Sequence, residues 1–116
     1  AASDVYKRQD PDCRRCMPWS EINSEENQEK IATMRKLIML RRNEKTCRSP
    51  HFHFPDTYEN DRCVEYIKID EEGNKMEVLL NTSEKEIKVK EAGEVLFARE
   101  FDGEILGVNG TLIRRI

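Results

Sequence analysis

Four cysteines and two histidines are the side chains of this sequence best suited to bind a metal or to act as nucleophile and base. Cys13 and Cys16 have the two-residue gap of a zinc knuckle, and Cys47, His51, His53 and Cys63 could supply the remaining ligands. Structural zinc sites usually present a second tight pair, whereas Cys47 and Cys63 lie far apart. Four reduced thiols in an intracellular protein is therefore the leading reading, with a small zinc-binding interaction domain as the alternative. Catalysis by a cysteine and a histidine would need a base beside the thiol and an oxyanion hole, and no pattern here supplies them. His51 and His53 alternate with Phe52 and Phe54, so an extended backbone puts both imidazoles on one face and both rings on the other. Trp19, Phe52 and Phe54 are rings that either stack on sugars or simply pack. No catalytic residue, metal ligand or cofactor is assigned from these groups.

The elements that would position them divide into a helical and a strand-rich part. Asp10 to Trp19, with two prolines, two cysteines and two arginines, is loop chemistry, because proline removes a donor and restricts its predecessor. Ile31, Met34, Leu37 and Ile38 follow helical spacing and predict a helix from Asn23 to Asn43, with Asn23 as N-cap and Glu26 three residues on. Glu25 and Glu26 suit the positive end of its dipole; Arg41 and Arg42 suit the negative end. Thr46 to Asp61 reads as a connection, with a short strand around Phe52.

From Arg62 the period becomes two: Val64, Tyr66 and Lys68 point one way, Cys63, Glu65, Ile67 and Ile69 the other, until Asp70-Glu71-Glu72-Gly73 ends the strand. Further short strands are expected at Lys75 to Asn81, Lys85 to Lys90, Val95 to Phe101, Glu104 to Gly107 and Thr111 to Ile116, paired antiparallel. Asp102-Gly103 predicts a type I′ hairpin with positive φ at both positions, and Asn109-Gly110 a second turn.

A chain of 116 residues holds one modest domain, or a small domain and part of a neighbour. Hydrophobic and charged residues each make up 37%, which favours a folded chain over a disordered one. The net charge of −3 and the scattered Lys and Arg exclude the footprint of a nucleic-acid binder. No apolar run approaches the roughly 18 residues needed to span a bilayer, and no leader pattern is present. The first methionine is Met17, so the sequence reads as a fragment. Its opening, AASDVYKRQ, resembles the adapter-derived tail of an assembled reading frame, and residues 1–9 are set aside.

Asp10-Pro11-Asp12-Cys13-Arg14-Arg15-Cys16-Met17-Pro18-Trp19 resembles the D-P-x-x-R-x-P-M-x-W stretch of α-amylase-family glycoside hydrolases of the neopullulanase, cyclomaltodextrinase and maltogenic amylase type. Cys16 departs from it, since proline usually stands there. Arg35-Lys36-Leu37-Ile38 and Leu40-Arg41 are similar to the K-L-I-x-L-R pattern of that family's final barrel helix.

The resemblance implies residues 10–45 as the end of a truncated (β/α)8 barrel and residues 46–116 as an all-β C-terminal domain, an antiparallel β-sandwich of Greek-key type. It places Asp10 and Arg14 on the positions that contact the substrate's glucose ring. There a carboxylate and a guanidinium can hold sugar hydroxyls, or can form a structural ion pair instead. It implies a retaining hydrolase of α-1,4 glucosidic bonds, extending to α-1,6, in maltodextrins, cyclodextrins or pullulan. It also implies an α-glucan partner, a cytoplasmic location, a homodimer as candidate assembly, and an inactive fragment, since the catalytic carboxylates lie on earlier strands. A free-standing glucan-binding β-sandwich module is the alternative.

Overall fold

The computed structural model describes Cys16, residues 18–58, 62–90 and 93–116. The chain forms two compact units, Ala1–Thr33 and Met34–Ile116.

In the first unit a single 3-10 turn, Trp19–Glu21, precedes the start of helix α1 (Glu25–Asn43). The N-cap is Ser24 rather than Asn23. Its Oγ accepts the Asn27 N–H at 3.4 Å while its carbonyl accepts the Gln28 N–H at 2.9 Å. Glu25 and Glu26 occupy the first turn as expected, and Lys30 bonds Glu26 one turn on at 2.5 Å.

The second unit takes up the rest of α1, whose last turn carries Arg41 and Arg42. Arg48, in the 3-10 turn Thr46–Arg48, turns its Nη1 back to the carbonyls of Arg41 and Arg42 at 2.8 and 2.5 Å. One guanidinium thus satisfies two of the terminal carbonyls that a helix leaves without partners. No residue of α1 is buried, and Met34 and Ile38 of the apolar face are 58% and 51% exposed.

Among the described residues six strands follow: β1 (Phe52–His53), β2 (Cys63–Ile69), β3 (Lys75–Asn81), β4 (Ile87–Lys88), β5 (Glu94–Phe101) and β6 (Ile105–Arg115). They form one sheet in the order β1-β2-β3-β6-β4, with β5 also on β6, and every pairing is antiparallel. The alternation read along β2 holds: Glu65 is buried opposite Leu79 while Val64 is exposed. Asp70 ends the strand by accepting the backbone N–H groups of Glu72 and Asn74, with Gly73 at φ 83°.

Two expectations change at the C-terminal end. The Asp102-Gly103 turn lies where expected, but positive φ falls on Gly103 and not on Asp102. The Asp102 carboxylate instead accepts the N–H groups of Glu104 and Ile105 at 2.9 and 2.7 Å, so the side chain closes the turn. The strands expected at Glu104 to Gly107 and Thr111 to Ile116 are one strand, β6. Asn109-Gly110 kinks it rather than reversing it.

At the kink, pairing with β5 jumps from Arg99–Thr111 to Phe101–Leu106, so Glu100 alone faces residues 107–110. Glu100 and Asn109 take φ of 51° and 57°. A Cβ on Gly110 would stand 2.7 Å from the Gly107 carbonyl oxygen, so the approach requires glycine.

The break lets β6 serve two neighbourhoods. Beyond it, residues 111–115 lie between β3 and β5; before it, Leu106 lies between β4 and β5. Leu79 and Leu112, paired on one stretch, therefore share a core with Ile87 and Leu106, paired on the other, closed by Tyr58 and flanked by Cys63, Val89 and Phe101. Fully burying each leucine stabilises by roughly 1.5–3 kcal/mol. Among the described residues, this antiparallel sheet with one α-helix is consistent with a β-sandwich-like domain.

Candidate functional site

Asp10 and Arg14, the expected substrate residues, lie outside the described residues, as does Cys13. From that loop Cys16 and Trp19 are described; both are exposed, Trp19 at 72%. His51 and His53 are exposed, and Cys47 and Cys63 are half-buried on different elements. Among the described residues no group of three or more His, Cys, Asp or Glu side chains could hold a metal ion. Burial pushes the Cys63 thiol up, the opposite of what an activated nucleophile needs.

Phe52 and Phe54 do come together on one face, and Tyr66 from β2 joins them. The ring centroids are 5.6 Å apart for Phe52 and Phe54, 6.4 Å for Phe52 and Tyr66, and 6.3 Å for Phe54 and Tyr66, all edge to face. Phe52 is 56% and Phe54 67% exposed, so the cluster presents aromatic surface to solvent. Register explains it: Phe52 pairs with Lys68, which shares its face of β2 with Tyr66, and Lys68 is held by the Cys47 carbonyl at 2.7 Å. The alternation of Tyr66 with its neighbours was the signal that could have added it to Phe52 and Phe54.

On the opposite face lies a buried charged cluster. Glu77 and Arg114, each 2% exposed, sit directly across β3 and β6 and form an ion pair. Glu65, 6% exposed, lies beside them, and its Oε2 has no hydrogen-bond partner among the described residues. Burial raises its carboxyl above the usual range; Thr57 opposes that shift and Glu77 adds to it. Two carboxylates side by side suggest acid and base chemistry, yet both are closed off from solvent in the sheet. A glycosidic bond could not reach them.

A third polar group ties the helix exit to the sheet. Thr46 Oγ1 donates to Asp70 Oδ2 at 2.8 Å, Asn74 Nδ2 donates to the same oxygen at 3.0 Å, and Lys45 pairs with Glu72. With Asn74 as the main cause, these bonds hold the Asp70 carboxyl at about 2. Lys45, Arg48, Ser49, Pro50, Asp70 and Glu71 line a shallow concavity here.

No family model matches the sequence. The fold and the surface features together define a β-rich domain with one long helix that carries no solvent-accessible catalytic constellation among its described residues. Over 82 residues, 69% of the chain, it is 35% identical to the maltogenic alpha-amylase of Bacillus acidopullulyticus, of which it spans 14%. A solved structure from Salmonella typhimurium, described as a "Putative alpha Amylase", matches 97% of the chain with a TM-score of 0.68 at 20% identity, over 21% of its own length. The second likeness shows a shared fold; the first supports a relation to α-amylase-family proteins, of whose length the chain spans only a small part.

Proposed function

We propose that the chain is the C-terminal part of a retaining α-glucan hydrolase of the neopullulanase, cyclomaltodextrinase or maltogenic amylase kind. The observation that carries this reading is the 35% identity to a maltogenic alpha-amylase over 82 residues. Residues 10–45 close the barrel with a substrate loop and the last helix, and residues 46–116 form a Greek-key β-sandwich that shields it. Asp10 and Arg14 bind the glucose ring beside the cleavage site. The parent hydrolyses α-1,4 bonds, extending to α-1,6, by a carboxylate nucleophile and an acid about 5 Å apart, both upstream of Asp10. It is cytoplasmic, with a homodimer as the assembly to look for.

The uncovered apolar side of α1, with Met34 and Ile38 exposed, supports this reading, since a final barrel helix would bury that side on the barrel. Long-read sequencing of the source DNA across the junction before Asp10 tests it. A reading frame that continues upstream into a β/α barrel with paired Asp and Glu is the expected result. A start codon close upstream with no barrel would overturn the proposal. The purified 116-residue chain should hydrolyse neither maltodextrin nor pullulan, and turnover that survives removal of trace contaminants would defeat it too.

The exposed Phe52, Phe54 and Tyr66 cluster favours a second reading, a glucan-binding module without catalysis. Affinity electrophoresis in amylose gels separates the two. Retardation lost in Phe54→Ala, together with no upstream barrel, supports the module.

A further inference from the structure

Asn109-Gly110, at the break in β6, is the single Asn-Gly step of the sequence. At such a step the chain can close on itself. The backbone nitrogen of the second residue attacks the side-chain amide carbon of the first, and glycine has no side chain to obstruct the ring. A folded chain permits this where the amide is not held, where the backbone is not laddered and where water has access.

These conditions meet at Asn109. It is exposed, and its side chain makes no hydrogen bond among the described residues. Residues 107–110 have no register partner: pairing with β3 begins at Thr111, pairing with β4 stops at Leu106, and pairing with β5 jumps between those same residues. The crowding at Gly110 is on its α-carbon, where the Gly107 carbonyl oxygen and the Leu106 side chain stand 2.7 Å from the place of a Cβ; the ring closes through the nitrogen instead. Other described asparagines fail on one count or more. Asn81, 1% exposed, donates from Nδ2 to the carbonyls of Lys85, Leu106 and Gly107. Asn74 Nδ2 is held by Asp70, and Asn27 Nδ2 by the Glu21 carbonyl. Asn23 and Asn43 precede Ser24 and Glu44, whose side chains crowd the attacking nitrogen.

We propose that Asn109 is a site of spontaneous deamidation in the folded chain, and that its isoaspartyl product disrupts the joint between the two stretches of β6. The Gly110 nitrogen gives its proton to solvent and bonds to the Asn109 Cγ; the Cγ–Nδ2 bond breaks and Nδ2 leaves as ammonia. Water then opens the cyclic imide. Attack at Cγ returns the original main chain with an aspartate side chain, whereas attack at the backbone carbonyl leaves Gly110 joined through the side chain, as isoaspartate. The net change is amide plus water to acid plus ammonia, with no other reactant. Both products add a negative charge to the bulge that Glu100 already occupies, and isoaspartate also lengthens the main chain by a carbon. Leu106 and Leu112, on either side of the break, are fully buried in a common core, and Asn81 holds the carbonyls of Leu106 and Gly107. Neither stretch can therefore slide to absorb the added atom.

The test keeps the whole chain in mildly alkaline 18O-water and maps its peptides by mass spectrometry, with a synthetic peptide spanning Leu106 to Ile113 treated alongside. Asn109 should take up label ahead of Asn27, Asn74 and Asn81, at a rate within about tenfold of the free peptide's. The isoaspartyl form, detected with an isoaspartate-specific methyltransferase and its methyl donor and separated by ion exchange, should melt below the fresh chain. Asn109→Gly keeps the positive φ without the amide and should show neither label nor loss on storage. Asn109→Asp carries the charge on a main chain of ordinary length and should melt above the isoaspartyl form. The comparison of chain with peptide needs no variant, so it decides the matter even if a variant fails to fold. Slower conversion than that in the folded chain, or an isoaspartyl form that melts with the fresh chain, would overturn the proposal.

Discussion

Replacing Arg114 with methionine tests the sheet at its most exposed assumption, that the ion pair across β3 and β6 must be complete. Arg114 and Glu77 are each 2% exposed and register partners, so Arg114→Met leaves the Glu77 carboxylate in the same enclosure without that cation. Breaking one side of a buried pair costs about 3–5 kcal/mol. The second unit, of roughly 80 residues, should be stable by about 4–12 kcal/mol, so the substitution consumes a large share of it. Arg114→Met combined with Glu77→Met removes both charges and keeps apolar volume, and should recover most of the loss. Urea unfolding followed by far-ultraviolet circular dichroism gives all four corners of the cycle. A single substitution costing under about 1 kcal/mol, or losses that simply add, would refute the reasoning, since coupled neighbours depart from additivity by about 0.5–3 kcal/mol.

Leu112→Ala empties a fully buried site paired with Leu79 and should cost about 2–5 kcal/mol in the same urea assay. Gly110→Ala places a methyl 2.7 Å from the Gly107 carbonyl oxygen and the Leu106 side chain, and thermal unfolding should show a loss of about 1–3 kcal/mol. The Asp70 carboxyl, held at about 2 against an ordinary value of about 3.9, contributes stability that is present above the ordinary value and lost as pH falls toward 2. Asp70→Asn should flatten that acid arm of the melting temperature against pH. On the proposed reading of the chain as part of an α-glucan hydrolase, Arg14→Ala in that parent should lower kcat/KM on maltodextrin by roughly 10–150-fold, the loss of a charged hydrogen bond of about 1.5–3 kcal/mol.

Strand positions were legible because alternation is a local signal. Lys75 to Asn81 is β3 end to end, and the two faces of β2 came out as read. The β6 break was not legible. Asn109-Gly110 has turn chemistry in any context, and whether it reverses a strand or kinks it depends on which neighbours pair on either side. Likewise Asn23 and Ser24 are both good caps, and a one-residue choice between them rests on the backbone that follows. The buried acids left a trace in the sequence: Glu65 stands alone among Cys63, Ile67 and Ile69 on the apolar side of β2. Its partners could not be read there, because Glu77 and Arg114 become neighbours only through the β3–β6 register.

The division of labour within the β-rich unit follows from that register. One side of β2 and β3 carries the core leucine Leu79 and the buried acids Glu65 and Glu77, the latter paired with Arg114, so it is committed to cohesion. The other side carries Phe52, Phe54 and Tyr66, whose contacts with one another leave two rings more than half exposed. Burying such rings is worth most when a partner covers them. A substitution at Leu79 or Leu112 on the first side, or at the buried Met76 or Val78 on the second, should therefore read out as stability, and one at the exposed rings Phe52 and Phe54 as binding with stability nearly unchanged. Phe54→Ala is the discriminating case: at 67% exposure it should move the unfolding midpoint far less than Leu112→Ala does. A large loss on Phe54→Ala would instead mean that the aromatic cluster holds the short β1 strand to the sheet, and that its exposure is incidental to any partner.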